Sequence, residues 1–221
     1  MTQLILDLGH RPALGEADFM VAPCNRQAVQ WLDRWPDWPA PALTIQGPPG
    51  CGKTHLARVF AARSGAVLIS AGALTTDGVP DLLGAARAAV VDDAERATPE
   101  ALLHLYNLLA ERGGHLLLTA AEPPARWADT LPDLRSRLAA APTVAVAPPD
   151  DALLAALLVK LFADRQLAVA EEVVLFLLHQ MERSFEAARQ LVAALDAAAL
   201  REQRAITIPL ARVVLSERQG E

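Results

Sequence analysis

The amino-acid sequence predicts an α/β protein in which helices sandwich a parallel five-stranded sheet, followed by a small all-helical subdomain. Three observations support this prediction. Short apolar runs alternate with helical patterns up to residue 147, and such alternation is typical of a parallel sheet covered on both faces. A glycine-rich loop connects one of these runs to a helix. After Pro148-Pro149 the pattern becomes almost wholly helical.

Each element has its own sequence signal. Buried-type apolar runs predict the strands, at residues 42–46, 66–70, 88–92, 115–120 and 143–146. Spacing of apolar residues predicts helices at 25–35, directly after the glycine-rich loop, at 78–87, 98–112, 150–163, 170–181 and 184–203, with a short one after Pro209. Thr98 followed by Pro99 is a typical helix start, and Asp150 or Asp151 is positioned to cap the first helix of the subdomain.

Composition excludes several classes of protein. With a net charge of −6, a broad surface that coats nucleic acid is not expected, although a local basic patch is compatible with that charge. Only two cysteines occur, Cys24 and Cys51, which disfavours a disulfide framework and favours a reducing, cytoplasmic location. We expect no membrane span, because no apolar run approaches the ~18 residues that crossing a bilayer requires.

The glycine-rich loop carries the clearest chemical signal. It reads Gly47-Pro48-Pro49-Gly50-Cys51-Gly52-Lys53-Thr54 and fits the pattern G-x-x-x-x-G-K-[ST]. Glycines allow backbone N–H groups to point inward, and the helix that follows offers its positive end to an anion. In this pattern Lys53 reaches the β- and γ-phosphates and the Thr54 hydroxyl ligates Mg²⁺. The strand before the loop and the helix after it favour this interpretation over a chance glycine–proline turn.

A pair of acids follows the third predicted strand. Asp92 ends the run Ala88-Ala89-Val90-Val91, and Asp93 comes directly after it. Alone, such a pair usually marks only a strand that enters a turn. Downstream of a phosphate-binding loop, however, it is typical of the second element of a nucleoside triphosphatase, in which Asp92 holds Mg²⁺ and Asp93 polarises a water.

The N-terminal segment allows two interpretations. Gln3 is followed by leucines at every second position, Leu4, Leu6 and Leu8, so an extended backbone would place all three leucines on one face. The segment could form an edge strand of its own domain. Alternatively it is a linear motif that binds an apolar groove of another protein, with Gln3 at the rim.

Together these features resemble the DnaA family of AAA+ ATPases, and within it the Hda-type regulators of bacterial replication initiation. The resemblance covers nearly the whole chain. It is carried by Asp18-Phe19 with Asn25, Gly47–Thr54, Val90–Glu95, Leu105-Tyr106-Asn107, Leu117-Leu118-Thr119 with Pro123-Pro124, Leu131–Leu138 and Ala205-Ile206-Thr207-Ile208-Pro209. The chain stops at Glu221, where DnaA itself would continue into a DNA-binding domain, so the resemblance implies that any contact with DNA is indirect.

The resemblance implies a bound ADP or ATP with Mg²⁺. It adds Phe19, Asn25 and His55 to the nucleotide-binding residues of the loop. It implies an arginine finger, at Arg137 with Arg135 as the near alternative, which acts in trans on the nucleotide of DnaA. Hda-type proteins also begin with a clamp-binding hexapeptide, and Gln3–Leu8 fits it, which favours binding to the β sliding clamp of DNA polymerase III. The implied partners are therefore this clamp and the AAA+ domain of DnaA, with possible self-association.

Two positions depart from the family pattern. Ala121 stands where the usual polar sensor aspartate follows the fourth strand, and Glu186 stands where the subdomain normally carries a sensor arginine. Arg183 and Arg189 lie three residues to either side of Glu186 and could substitute for that arginine. These departures predict weak or absent intrinsic ATP hydrolysis.

The sequence predicts a clamp-binding segment at residues 1–16, a nucleotide-binding α/β domain at 17–147 and a helical lid at 148–221. The leading hypothesis is a nucleotide-bound negative regulator of replication initiation that stimulates ATP hydrolysis by DnaA. Two alternatives remain: an adaptor that binds DnaA or loads DNA, and an autonomous P-loop ATPase. Efficient turnover by the isolated chain would favour the ATPase, and clamp binding without residues 1–8 would favour the adaptor.

Overall fold

The computed structural model describes residues 21–128 and 130–219. These residues form two compact units. The first contains the described part of Met1–Pro48 together with Lys53–Ala147, and the second contains Pro49–Gly52 with the described part of Pro148–Glu221. The first unit holds the sheet, and the second consists of helices and a short piece of the glycine-rich loop.

The first unit is built on a five-stranded parallel sheet in the order β2-β3-β4-β1-β5. The strands are β1 Ala42–Gln46, β2 Val67–Ser70, β3 Ala88–Asp92, β4 His115–Ala120 and β5 Thr143–Ala145. The central strands β3, β4 and β1 are buried along almost their whole length. This double burial explains why they read as continuous apolar runs rather than as alternating patterns. The predicted α/β fold is confirmed.

The helices of this unit precede or connect its strands and pack against the sheet. They are α1 Arg26–Asp33, α2 Lys53–Ser64, α3 Val79–Leu83, α4 Pro99–Glu111 and α5 Pro132–Ala140. Helix α3 is shorter than its sequence pattern suggests, because Gly84 adopts a φ of 51° directly after Leu83 and ends it. Pro99 begins α4 as predicted, but the Thr98 side chain makes no capping hydrogen bond.

A cluster of aromatic rings closes one end of this unit. The Trp38 ring stacks on Phe60 with 5.4 Å between centroids, and Trp35 meets the same Phe60 edge-on at 5.8 Å. His115 contacts both tryptophans through ring edges. Burial lowers the pKa of His115, an effect partly offset by a hydrogen bond to the Pro36 backbone and by the charge of Asp37. Trp38 and Phe60 are buried, whereas Trp35 and His115 are half-buried, so the cluster lies at the margin of the core.

Thr44 lies at the centre of β1 with no exposed surface. Its hydroxyl finds no hydrogen-bond partner among the described residues. A buried polar group without a partner opposes folding, since it loses its bonds to water and gains none. We therefore expect Thr44→Val, which keeps the shape and removes the hydroxyl, to raise the free energy of unfolding by about 1 kcal/mol. Urea denaturation measures this change, and a clear loss of stability would contradict the assignment.

The second unit packs helices α6 Asp151–Asp164, α7 Glu171–Gln180, α8 Phe185–Glu202 and α9 Ile208–Gln219 around one apolar core. Asp150 caps α6 by accepting a hydrogen bond from the Leu153 N–H at 2.8 Å, which decides between the two predicted caps. Ser184 caps α8 in the same way through the Ala187 N–H at 3.0 Å. Among the described helices, none is both long and apolar enough to cross a membrane.

Helix α9 differs from its sequence prediction. The sequence predicted only a short helix after Pro209. In the structure the helix begins at Ile208 and runs for 12 residues, so Pro209 lies in its first turn. Proline fits there, because the first turn of a helix needs no N–H donor from that residue and its φ is already helical.

Candidate nucleotide-binding site

The glycine-rich loop joins β1 to α2 and closes around the side chain of Lys53. The ammonium Nζ of Lys53 donates to the carbonyl oxygen of Gly47 at 2.7 Å and to that of Pro48 at 3.0 Å. The side chain is almost fully buried, at 7% exposure. A lysine held this way places a fixed positive charge against the loop, and the start of α2 adds the positive end of its dipole. Both features favour an anion at this position.

Two glycines of the loop adopt backbone angles that other residues rarely take. Gly50 has a φ of +72° and Gly52 a φ of +101°. Within the second unit, the Gly50 carbonyl accepts a hydrogen bond from the Phe185 N–H at 3.0 Å. A Cβ atom on Gly50 would stand only 2.4 Å from the Cβ of Ser184. Glycine is therefore required at position 50 both by its φ and by the close approach of Ser184, which caps α8.

Thr54 and Asp92 meet beside this loop. The Thr54 Oγ1 lies 3.0 Å and 3.2 Å from the two carboxylate oxygens of Asp92. Thr54 belongs to the first turn of α2 and Asp92 ends β3, so the fold brings together residues far apart in sequence. Asp93 is exposed and has a left-handed backbone with a φ of 54°. This turn separates the two acids: Asp92 faces Thr54 and Asp93 lies at the surface.

These residues fit a magnesium ion that accompanies a phosphate chain. A hydroxyl and a carboxylate in contact are oxygen donors of the type that Mg²⁺ prefers. Within the part of the chain that the structure describes, no group of three or more His, Cys, Asp or Glu side chains could enclose a metal. An ion here would thus take its remaining ligands from phosphate oxygens and water, as magnesium commonly does in nucleotide sites.

The sequence did not predict two residues that complete this edge of the sheet. Thr119, fully buried on β4, donates a hydrogen bond to Oδ1 of Asp92 and accepts one from the Asp93 N–H at 3.1 Å. Glu95 accepts a hydrogen bond from the Ala121 N–H through Oε1 at 2.8 Å. In the sequence, Thr119 belonged to a stretch that carries the family resemblance and was a polar residue near the end of an apolar strand, but no role followed from either. Ala121 has no polar side chain to offer, and its N–H group is already bonded to Glu95.

Arg137 lies in the last turn of α5. Its guanidinium forms a bidentate pair with Asp133, in which Nε and Nη2 donate at 3.1 Å and 3.2 Å. It also lies over the ring of Tyr106, with 5.5 Å from Cζ to the centroid. Burial raises the pKa of Tyr106, and the positive charge of Arg137 partly offsets that rise. The Arg137 side chain is 37% exposed, so it is accessible from solvent, while Arg135 is exposed on the same helix.

Glu186 lines a cavity of about 460 Å³ in the second unit, together with Pro49 and Gly50 of the loop. Its Oε1 accepts from the Gln190 side chain at 2.8 Å, and Arg218 donates to the other end of Gln190 at 2.7 Å. Neither of the two arginines considered as substitutes lines this cavity. Arg183 forms an ion pair with Asp151 at 3.1 Å, and Arg189 is exposed.

Three other residues predicted to bind the nucleotide lie in the described part of the chain. Asn25 is buried before α1, and its side-chain oxygen accepts a hydrogen bond from the Ala22 N–H at 2.9 Å. Cys51 is buried within the loop, and His55 is half-buried in the first turn of α2. Phe19 and the segment of Gln3, Leu4, Leu6 and Leu8 lie outside the described residues.

Known proteins share parts of this sequence and its fold. A family model described as the lid domain of Hda matches residues 150–215. Domain III of the Thermotoga maritima replication initiation protein DnaA superposes with a TM-score of 0.76 at 18% identity, covering 90% of this chain and 94% of that one. AMPPCP-bound DnaA from Aquifex aeolicus gives 0.69 at 18% identity, with coverage of 83% and 65%. The Thermotoga maritima RuvB Holliday junction branch migration motor gives 0.67 at 15% identity, with coverage of 79% and 61%.

These identities are low enough that the solved structures establish the fold alone. The family match adds the type of lid, since residues 150–215 comprise α6, α7, α8 and most of α9. Residues 150–215 thus match the lid of Hda, and the chain as a whole has a fold similar to that of DnaA domain III.

Proposed function

We propose that the chain binds ADP or ATP with Mg²⁺ at the glycine-rich loop. The buried Lys53 and the contact between Thr54 and Asp92 support this proposal. DnaA of similar fold has been solved with the nucleotide analogue AMPPCP. In this proposal Lys53 and the loop N–H groups hold the phosphates, Thr54 and Asp92 orient the metal shell, and Phe19, Asn25 and His55 contribute to the nucleotide site.

The chain's own hydrolysis is proposed to be slow or absent. A carboxylate such as Asp93 could polarise a water, but the chain has no polar side chain at position 121 to act with it. In the lid, position 186 carries an acid, so it supplies no guanidinium that could stabilise a γ-phosphate. The nucleotide would then serve mainly as a bound ligand.

The proposed role is negative regulation of chromosomal replication initiation, through stimulated ATP hydrolysis by DnaA. The observation that carries this proposal is the Hda lid match on a DnaA-like AAA+ fold. Such a fold suits assembly with a second AAA+ domain, and Arg137 is the side chain proposed to reach the nucleotide of DnaA. The sliding clamp would be bound through Gln3, Leu4, Leu6 and Leu8, with DNA contacted only indirectly.

Arg137 can leave its resting contacts at a small cost in free energy. Its pair with Asp133 is exposed, and exposed pairs contribute only about 0.2–1 kcal/mol. Its contact with Tyr106 adds about 0.5–1 kcal/mol. An arginine placed at a γ-phosphate in the transition state accelerates hydrolysis by ~10³-fold or more, which corresponds to about 4 kcal/mol. The cost of leaving the resting position is thus smaller than this lowering of the activation free energy.

A hydrolysis assay tests the proposed role. DnaA loaded with radiolabelled ATP is mixed with this protein, ADP and clamp-loaded DNA, and the conversion of bound ATP to ADP is followed. We expect faster conversion than with the clamp alone, and we expect deletion of residues 1–8 to remove the acceleration while leaving ADP binding intact. An unchanged rate with the full chain would contradict the regulatory role, whereas a nucleotide-binding assay tests the site independently.

A further inference from the structure

Thr119 connects the end of β4 to the acidic turn that follows β3. Val91 and Leu118 are paired in the parallel ladder, so Asp92 and Thr119 come one position later on adjacent strands. Side chains at matching positions of neighbouring strands point to the same face of a sheet. The hydroxyl of Thr119, a fully buried residue, consequently meets the carboxylate of the half-buried Asp92.

This hydroxyl both donates and accepts a hydrogen bond. Its proton is donated to Oδ1 of Asp92, and its oxygen accepts the N–H of Asp93 at 3.1 Å. The single hydroxyl therefore orients the Asp92 carboxylate and also holds the backbone where it turns into the left-handed conformation at Asp93. Thr54 contacts the same carboxylate from α2, at 3.0 Å and 3.2 Å. The carboxylate thus lies between two threonine hydroxyls from different elements.

We propose that Thr119 is a positioning residue for magnesium, which acts by orienting Asp92 toward the metal shell of the nucleotide. The inference rests on the proposed nucleotide site. A metal held through few protein ligands depends on how those ligands are oriented, and groups that hydrogen-bond to a ligand carboxylate tune metal affinity for this reason. Thr119 touches neither the metal nor the nucleotide in this proposal, so its effect is confined to binding that requires Mg²⁺.

The test compares the affinity for ADP with excess Mg²⁺ and with EDTA, by isothermal titration calorimetry of the full chain. The measured quantity is the gain in affinity that Mg²⁺ provides. Thr119→Val removes the hydroxyl at nearly constant shape, and we expect it to reduce this gain by about 10-fold, the lower end of the range for lost support of a metal ligand. Affinity in EDTA should stay at the wild-type level. Thr119→Ser keeps the hydroxyl and should restore the gain.

Two further variants separate positioning from general damage to the sheet. Thr44→Val makes the same change on the adjacent strand β1, at a hydroxyl that bonds to no described residue, and it should keep the full Mg²⁺ gain. Thr119→Cys replaces the hydroxyl by a thiol, a much weaker donor, and it should behave like Thr119→Val. It replaces the valine variant if that protein does not fold.

Each result supports or overturns the inference. Retention of the full Mg²⁺ gain by Thr119→Val and Thr119→Cys would overturn it, as would an equal loss in Thr119→Ser. A lower ADP affinity in EDTA that accounts for the whole effect of the valine variant would also overturn it, since the residue would then be structural. If the wild-type chain binds no ADP under either condition, the proposed nucleotide site itself fails. The two failures are thus distinguishable.

Discussion

Arg137→Ala is expected to abolish stimulated hydrolysis of DnaA-bound ATP while leaving the chain folded and able to bind ADP. The guanidinium is proposed to offset negative charge on the transferring phosphate, and such an arginine contributes ~10³–10⁵-fold in rate. Loss of the exposed pair with Asp133 should change stability by only about 0.2–1 kcal/mol. The rate is measured in single-turnover assays with labelled ATP bound to DnaA, and folding by thermal denaturation.

Arg135→Ala is the matched control for this prediction. Arg135 lies two residues earlier on α5 and is exposed, so its removal changes the charge of the same helix by the same amount. We expect this variant to stimulate DnaA at nearly the wild-type rate. Full activity of Arg137→Ala together with loss of activity in Arg135→Ala would assign the finger to Arg135. Full activity of both variants would show that neither Arg135 nor Arg137 is the arginine finger.

Gly50→Ala is expected to destabilise the protein by about 2–5 kcal/mol and to weaken ADP binding strongly. An alanine at a φ of +72° costs roughly 1–2 kcal/mol. Its Cβ would also stand 2.4 Å from the Cβ of Ser184, and such overpacking adds about 1–3 kcal/mol. Because the loop must shift to relieve this contact, its N–H groups should no longer converge on a phosphate. Chemical denaturation and calorimetry with ADP measure the two effects.

Gly65→Ala separates the two contributions. Gly65 has a similar φ of +67°, but a Cβ there would meet no atom within 4 Å. This variant should lose only the roughly 1–2 kcal/mol of backbone strain and should bind ADP as the wild-type chain does. If both glycine variants lose the same stability and both retain ADP binding, the close contact at Ser184 has no role in the loop.

The positions of the central strands β1, β3 and β4 could be predicted from the sequence because burial on both faces makes them continuous apolar runs. Each predicted strand agrees with the structure to within one residue, and the helices that follow the loop and Thr98 begin where expected. The errors lie at helix ends. Gly84 ends α3 early, and Pro209 is accommodated within α9 instead of preceding it. Both depend on how the backbone turns, which apolar spacing alone does not encode.

The sequence was sufficient to recognise the glycine-rich loop with Lys53 and Thr54, because these residues are consecutive and fit a known pattern. It was also sufficient for Asp92, because this acid stands at the end of an apolar strand. The sequence alone also determined that position 121 lacks a polar side chain and that position 186 carries an acid. Only the tertiary structure revealed Thr119 beside Asp92, Glu95 bonded to Ala121 and Arg137 between Asp133 and Tyr106. The pairs across strands and between helices join residues from separate elements, and their distances follow from strand register and helix packing, which no local pattern specifies.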